Sequence, residues 1–142
     1  MKFPQRQRGF TLMEVLVTIV IVGILSAVAI PAYSTHVTRS RTTEAFAALG
    51  AAQANAEQFW SNTRSYSGYD VAPAFPAATP NFTYTLGNAT ASTYTITATG
   101  RAKMAGFTYT IDQNGTRTTT ATAGWGTSTS CWVDKKGGQC SS

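Results

Sequence analysis

The chain has 142 residues, with 11 Lys and Arg against six Asp and Glu, and only 12% of its residues are charged. That length allows one small folded domain beside any membrane segment. The single histidine, His36, and two cysteines nine residues apart exclude a Ser-His-Asp triad, a Cys-x-x-Cys redox pair and a zinc site. We therefore expect no catalysis, no cofactor and no metal, and we interpret His36 as a solvated residue.

The first element is an apolar segment. Residues 1–9 carry three bases and no acid, whereas residues 10–33 contain one charge, Glu14. A helix of that length rises about 36 Å, enough to cross a hydrocarbon core of about 30 Å. The bases predict a single membrane-spanning helix with its amino end in the cytoplasm.

Glu14 is unusual because an acid at the bilayer centre costs about 2.5–3.5 kcal/mol, and less near the end of the span. The helix carries no cation, but a cut between Gly9 and Phe10 would create an amine four residues before Glu14. Two alternatives stay open: a secretory signal cleaved at the Ala-x-Ala site of residues 27–29, and a plain anchor that tolerates Glu14. Sequencing the mature amino terminus would separate them.

The run Arg8-Gly9-Phe10-Thr11-Leu12-Met13-Glu14 resembles the class III signal of type IV prepilins and pseudopilins. The resemblance implies that a prepilin peptidase removes residues 1–9 as a leader and methylates the amine of Phe10. It also implies that Glu14 pairs with the terminal amine of a neighbouring subunit, and that Pro31 is the helix-kinking proline of the family.

The helical pattern continues over residues 34–62 and ends near Trp60. Small and apolar residues recur at helical spacing and define one face for a globular domain. These residues are Ala45, Ala48, Leu49, Ala52, Ala56 and Phe59. At Pro31 we predict a kink or local melting, because proline donates no backbone hydrogen bond.

A globular domain is predicted over residues 63–142. It opens with a Pro-rich connecting loop to Pro80. The period then changes from 3.6 to 2 in residues 82–86, 94–98 and 107–111, which alternate apolar residues with threonines. Asn114-Gly115 is a hairpin signal, and residues 116–120 would form the returning strand.

The predicted fold class is α+β: a long amino-terminal helix packed on a three- to four-stranded antiparallel sheet. The pilin family has this fold. An even cysteine count in a translocated chain predicts a disulfide, Cys131–Cys140. By resemblance, these cysteines bound a short form of the pilin D-region loop.

Five bases form a candidate DNA-binding patch near Trp125 and Trp132, since some minor pilins bind DNA for uptake. They are Arg101, Lys103, Arg117, Lys135 and Lys136. Five solvated bases on a nearly neutral domain are the alternative. Residues 112–115, Asp-Gln-Asn-Gly, are residue types found in calcium-binding loops, but the run is too short for an EF-hand loop.

The sequence therefore predicts a type IV pilus subunit, most similar to PilE-type minor pilins by its compact loop and by residues 57–60 and Tyr66. Its expected partners are other pilin subunits, the prepilin peptidase, the inner-membrane assembly platform and lipid. We expect it in the bacterial inner membrane and then in the extracellular pilus. Alternatives are a major pilin, a type II secretion pseudopilin and a DNA-binding module at the pilus tip.

Overall fold

A computed structural model describes residues 9–122 and 124–141. It contains one long helix, four strands and two short 3-10 helices, which confirms the α+β class. In chain order these are α1 (Leu12–Thr63), the 3-10 turn Tyr69–Val71, β1 (Phe82–Gly87), β2 (Thr95–Gly100), the 3-10 turn Ala102–Met104, β3 (Thr108–Asp112) and β4 (Arg117–Thr120). The chain divides after Val37 into two compact units.

The first unit contains the apolar part of α1. Its side chains are exposed almost throughout, and the helix is long and apolar enough to cross a membrane. The helix runs through Pro31 unbroken, so the local melting predicted there does not occur. Instead, the hydroxyls of Ser34 and Thr35 donate to the Pro31 carbonyl oxygen at 2.9 and 3.0 Å.

The second unit packs the rest of α1 on the sheet. The predicted stripe is confirmed, because the buried residues of α1 are Thr42, Ala45, Leu49, Ala52 and Ala56. Phe46 meets the sheet edge-to-face, with its ring centroid 5.0 Å from that of Tyr109. The helix ends three residues beyond Trp60, at Thr63, and Arg64 follows in a left-handed conformation with φ 58°.

The sheet is antiparallel throughout, in the order β1-β2-β3-β4. Its helix-facing side carries buried aromatic and aliphatic residues, and its other side carries threonines in register across all four strands. The outward threonines are Thr83, Thr85, Thr95, Thr97, Thr99, Thr108, Thr110, Thr118 and Thr120. The hydroxyls of Thr110 and Thr118 lie 2.6 Å apart, which shows that they share this face.

Strand β1 starts at Phe82 as predicted, whereas β2, β3 and β4 each start one residue later than the sequence predicts. The N–H of Tyr94 bonds to the side chain of Gln113 rather than to a strand, and the N–H of Phe107 bonds to the Met104 carbonyl. Both aromatic side chains are nevertheless buried. Local turn hydrogen bonds therefore set the strand ends, while the alternation sets the buried face.

The Asn114-Gly115 turn joins β3 to β4, as predicted. Gly115 has φ +76°, and its N–H bonds to the Asp112 carbonyl at 3.0 Å. The Asp112 carboxylate accepts the N–H groups of Asn114 at 2.8 Å and Thr116 at 2.9 Å. This side chain therefore closes the turn.

Candidate functional site

The predicted cleavage site lies at the start of α1. Gly9 and Phe10 are exposed and precede the first helical residue. Thr11 caps the helix, because its Oγ1 accepts the Glu14 N–H at 3.2 Å. Thr11 and Glu14 have the spacing of a capping box, and an acid in the first turn is favoured by the helix dipole. The sequence prediction missed this role of Thr11, although the Thr-x-x-Glu pattern could have indicated it.

The Glu14 side chain is exposed and surrounded by exposed apolar side chains such as Val15. Across the described residues, the one ion pair joins Arg39 to Asp134, so Glu14 has no cationic partner in that part of the chain. Residues 1–8, with the predicted leader's bases, lie outside the described residues. A new terminus, or another subunit, therefore stays the predicted source of its partner.

The predicted disulfide joins Cys131 to Cys140. The first part of the loop that it closes is bonded to the sheet. Thr119 Oγ1 donates to the Cys131 carbonyl at 2.9 Å and accepts the Val133 N–H at 3.0 Å. The Tyr109 hydroxyl donates to the Val133 carbonyl at 3.2 Å, and burial raises the pKa of Tyr109, so that the phenol remains a donor. The loop is thus fixed to β3 and β4.

Trp132 extends from this loop into an aromatic and cationic stack. Its ring lies 5.2 Å from that of Phe46, and its Nε1 donates to the Thr110 carbonyl at 2.8 Å. The Arg117 guanidinium lies 4.5 Å from the Trp132 ring centroid, within cation–π range. Arg117 is therefore held beside Trp132, at the end of the sheet where β3 turns into β4.

Arg101 and Lys103 lie at the other end of the sheet, in the connection between β2 and β3, and both are exposed. Phe107 follows this connection, and its ring centroid lies 5.4 Å from that of Trp125. The connection also contains Ala102 with φ 49°, a conformation that is strained for a residue other than glycine.

The disulfide loop that carries Lys135 and Lys136 contacts the backbone of the same tryptophan. The Trp125 carbonyl accepts the Gly138 N–H at 2.6 Å, two residues after Lys136. Four of the five predicted bases thus lie on two segments that meet at Trp125. Arg117 lies apart from Arg101, because it pairs with Ile111 about five residues, or about 17 Å, along the strands from Arg101.

No group of three or more His, Cys, Asp or Glu gathers for a metal within the described ranges. Asp112, the acid of the calcium alternative, already accepts two backbone N–H groups in the hairpin turn. The structure therefore adds no support for calcium there.

The chain combines a helix long and apolar enough to span a membrane with a sheet domain that ends in a disulfide loop. This architecture is that of a subunit with a helical anchor. Residues 31–114 match the family described as "Type IV minor pilin ComP, DNA uptake sequence receptor". Residues 4–30 match the "Prokaryotic N-terminal methylation motif". The chain therefore belongs to the type IV pilin family, and the match that covers more than half of it places it with the minor pilins.

Curated relatives agree with the assignment to the type IV pilin family. Fimbrial protein EcpC of Eikenella corrodens is 41% identical over 80 residues, which are 56% of this chain and 52% of that protein. The type IV major pilin PilA of Myxococcus xanthus is 38% identical over 68 residues, 48% of this chain and 31% of the relative. A fimbrial protein of Neisseria meningitidis is 37% identical over 62 residues, 44% and 36% of the two chains. The chain matches about half or less of the length of these relatives.

Proposed function

We propose that the protein is a minor subunit of a type IV pilus that works by assembly rather than catalysis. The observation that carries the proposal is Glu14, a carboxylate on an exposed apolar helix without a cationic partner in the described residues. The match of residues 4–30 to the methylation motif supports cleavage between Gly9 and Phe10 and methylation of the new amine.

The membrane orientation follows from charge. Lys2, Arg6 and Arg8 precede the apolar segment, and basic flanks stay on the cytoplasmic side. The subunit then spans the inner membrane once, where lipid, the prepilin peptidase and the assembly platform are its first partners. Extraction into the filament brings Glu14 to the Phe10 amine of a neighbour, which removes the cost of an unpaired acid in lipid.

The test of this assembly role is Glu14→Gln, which keeps the side chain's size and removes its charge. We expect normal processing and membrane insertion but reduced incorporation into sheared, purified pili, measured by immunoblot. Asp70→Asn is the matched control, because it removes an exposed acid outside the membrane helix. Wild-type incorporation of the Glu14 variant would contradict the proposal.

Cleavage is tested separately. Gly9→Val places a branched side chain at the cut, and we expect the precursor to accumulate as an unshifted band. Sequencing of the wild-type mature protein should begin at Phe10. A mature chain that lacks the apolar segment would support the secretory-signal alternative instead.

The alternatives of a major pilin and a type II secretion pseudopilin differ in stoichiometry and pathway. A minor subunit is rare in purified filaments, whereas a major pilin accounts for most of their mass. A pseudopilin mutant would lose exoprotein export and keep its pili. Quantitative mass spectrometry of filaments and an export assay on the deletion strain distinguish the three.

DNA binding is the second candidate function, favoured by two observations. The matching family is described as a DNA uptake sequence receptor, and four exposed bases lie on segments that meet at Trp125. Cations of this kind bind phosphates and give salt-dependent affinity. The four bases are Arg101, Lys103, Lys135 and Lys136.

Its test is a mobility shift with duplex DNA and detergent-solubilised full-length protein. The Lys135→Ala/Lys136→Ala variant should weaken binding, and the slope of log K against log salt should fall by about 0.9 for each phosphate that the two lysines neutralise. Arg64→Ala is the control, because Arg64 lies over Trp60 at the carboxyl end of α1. Absence of a shift for the wild type at low salt would rule this candidate out.

A further inference from the structure

The two lysines of the disulfide loop sit on a small hairpin. The N–H groups of Asp134 and Lys135 both bond to the Gln139 carbonyl at 3.2 Å. Gly137 and Gly138 have φ values of +83° and +75°, which only glycine adopts without strain. Lys135 and Lys136 are thus displayed at a tight turn whose direction depends on how the hairpin is anchored.

Asp134 is the residue directly before these lysines, and it is 7% exposed. Its Oδ2 pairs with Arg39 Nη2 at 3.0 Å. Its Oδ1 accepts the Ser141 N–H at 2.7 Å, and its Oδ2 accepts the Ser141 hydroxyl. Arg39 Nη2 also donates to that hydroxyl at 3.0 Å.

One carboxylate therefore joins three parts of the chain: helix α1 through Arg39, the start of the hairpin, and the residue after Cys140. Burial raises the pKa of Asp134, but the hydrogen bonds from Ser141 and Arg39 together lower it below its ordinary value. The charged form is the one that these contacts stabilise.

We propose that Asp134 is a positioning residue for DNA binding: paired with Arg39 and Ser141, it holds the Lys135–Lys136 hairpin in the orientation that meets the phosphates. The inference rests on the proposed DNA-binding function. A positioning role and a purely electrostatic role of Asp134 predict opposite changes in DNA affinity when its charge is removed. An acid next to two lysines repels DNA, so its neutralisation alone would strengthen binding, whereas loss of the anchor weakens it.

The decisive variant is Asp134→Asn, compared with Asp70→Asn, which removes an exposed acid from another part of the domain. We expect duplex DNA to bind Asp134→Asn at least about 5-fold more weakly than the wild type, the lower end of the range for coupled sites. Asp70→Asn should bind as well as the wild type or better. The salt slope of Asp134→Asn should stay unchanged, because no phosphate-binding cation is removed.

Arg39 provides a second variant. Its side chain is 47% exposed, so its replacement disturbs the folded core less than that of Asp134 and separates loss of the anchor from loss of the fold. Arg39→Met should weaken DNA binding without lowering the salt slope, and Arg39→Lys should restore part of the affinity. A slope lowered by about 0.9 in Arg39→Met would instead show that Arg39 binds a phosphate directly and would overturn the positioning role.

Trypsin gives a readout that needs no DNA. If Asp134 anchors the hairpin, cleavage after Lys135 and Lys136 should be faster in Asp134→Asn than in Asp70→Asn, at equal near-UV circular dichroism. Asp134→Asn that binds DNA as tightly as Asp70→Asn, or is cleaved no faster, overturns the inference while leaving DNA binding intact. A wild type that binds no DNA overturns the proposed DNA-binding function itself, and the inference with it.

Discussion

Removal of the Cys131–Cys140 bond should lower the stability of the sheet domain by an amount that its loop size sets. The cysteines are nine residues apart. In the chain-entropy treatment, closing a loop of about ten residues restricts the unfolded chain by about 2.5–3 kcal/mol. For a domain of this size, each kcal/mol shifts the melting temperature by about 4–8 °C, so the expected loss is about 10–20 °C.

The assay is thermal unfolding of detergent-solubilised protein, followed by tryptophan fluorescence with and without reductant, beside the Cys131→Ser/Cys140→Ser variant. Reduced wild type and double variant should melt at similar temperatures. Thr127→Ala/Thr129→Ala serves as the control, because both threonines are exposed and should change stability by less than about 0.5 kcal/mol.

A shift of less than about 2 °C on reduction would refute this reasoning. It would mean that the reduced, unfolded chain retains enough structure around this loop that the disulfide restricts it little further. The loop-closure entropy of the unfolded chain would then not account for the stabilising effect of the disulfide.

Four further outcomes follow from packing and charge. Leu49→Ala should lower the free energy of unfolding by about 2–5 kcal/mol in urea titrations, because Leu49 is fully buried between α1 and the sheet. Gly106→Ala should destabilise by about 1–3 kcal/mol, since its φ is +91° and the new Cβ would lie 2.2 Å from a threonine methyl. Gly50→Ala, on the exposed side of α1, should stabilise by about 0.5–1 kcal/mol, so equal effects of the two glycine changes would refute the argument. Because the folded pKa of Asp134 is lowered, its contribution is present above pH 3.8 and is lost as the pH falls through the folded pKa; Asp134→Asn should flatten that acid transition in pH-dependent melts.

Local sequence patterns predicted much of this fold. The 3.6-residue period gave the buried face of α1, and strict alternation gave the buried faces of β1, β2 and β3, because both depend on side-chain geometry within one element. Asn114-Gly115 predicted its hairpin for the same reason: the turn needs a left-handed residue, which glycine supplies at Gly115.

Long-range partners could not be predicted in this way. Arg39 and Asp134 are 95 residues apart and belong to elements with no shared period. The sequence prediction put all five bases in one patch, whereas the strand register places Arg117 and Arg101 at opposite ends of the sheet. Such placements follow from how elements meet, which a single sequence leaves open.

The outward side of the sheet has a consequence for how this surface behaves in different media. Its nine threonines carry no titratable group, so neither acidification nor added salt changes their charge. Hydroxyls keep the surface wetted, and β-branched carbons favour the extended backbone beneath it. Adhesion or repulsion through these threonines is therefore insensitive to ionic strength, in contrast to the lysine-bearing hairpin, whose attraction to anions weakens as salt rises.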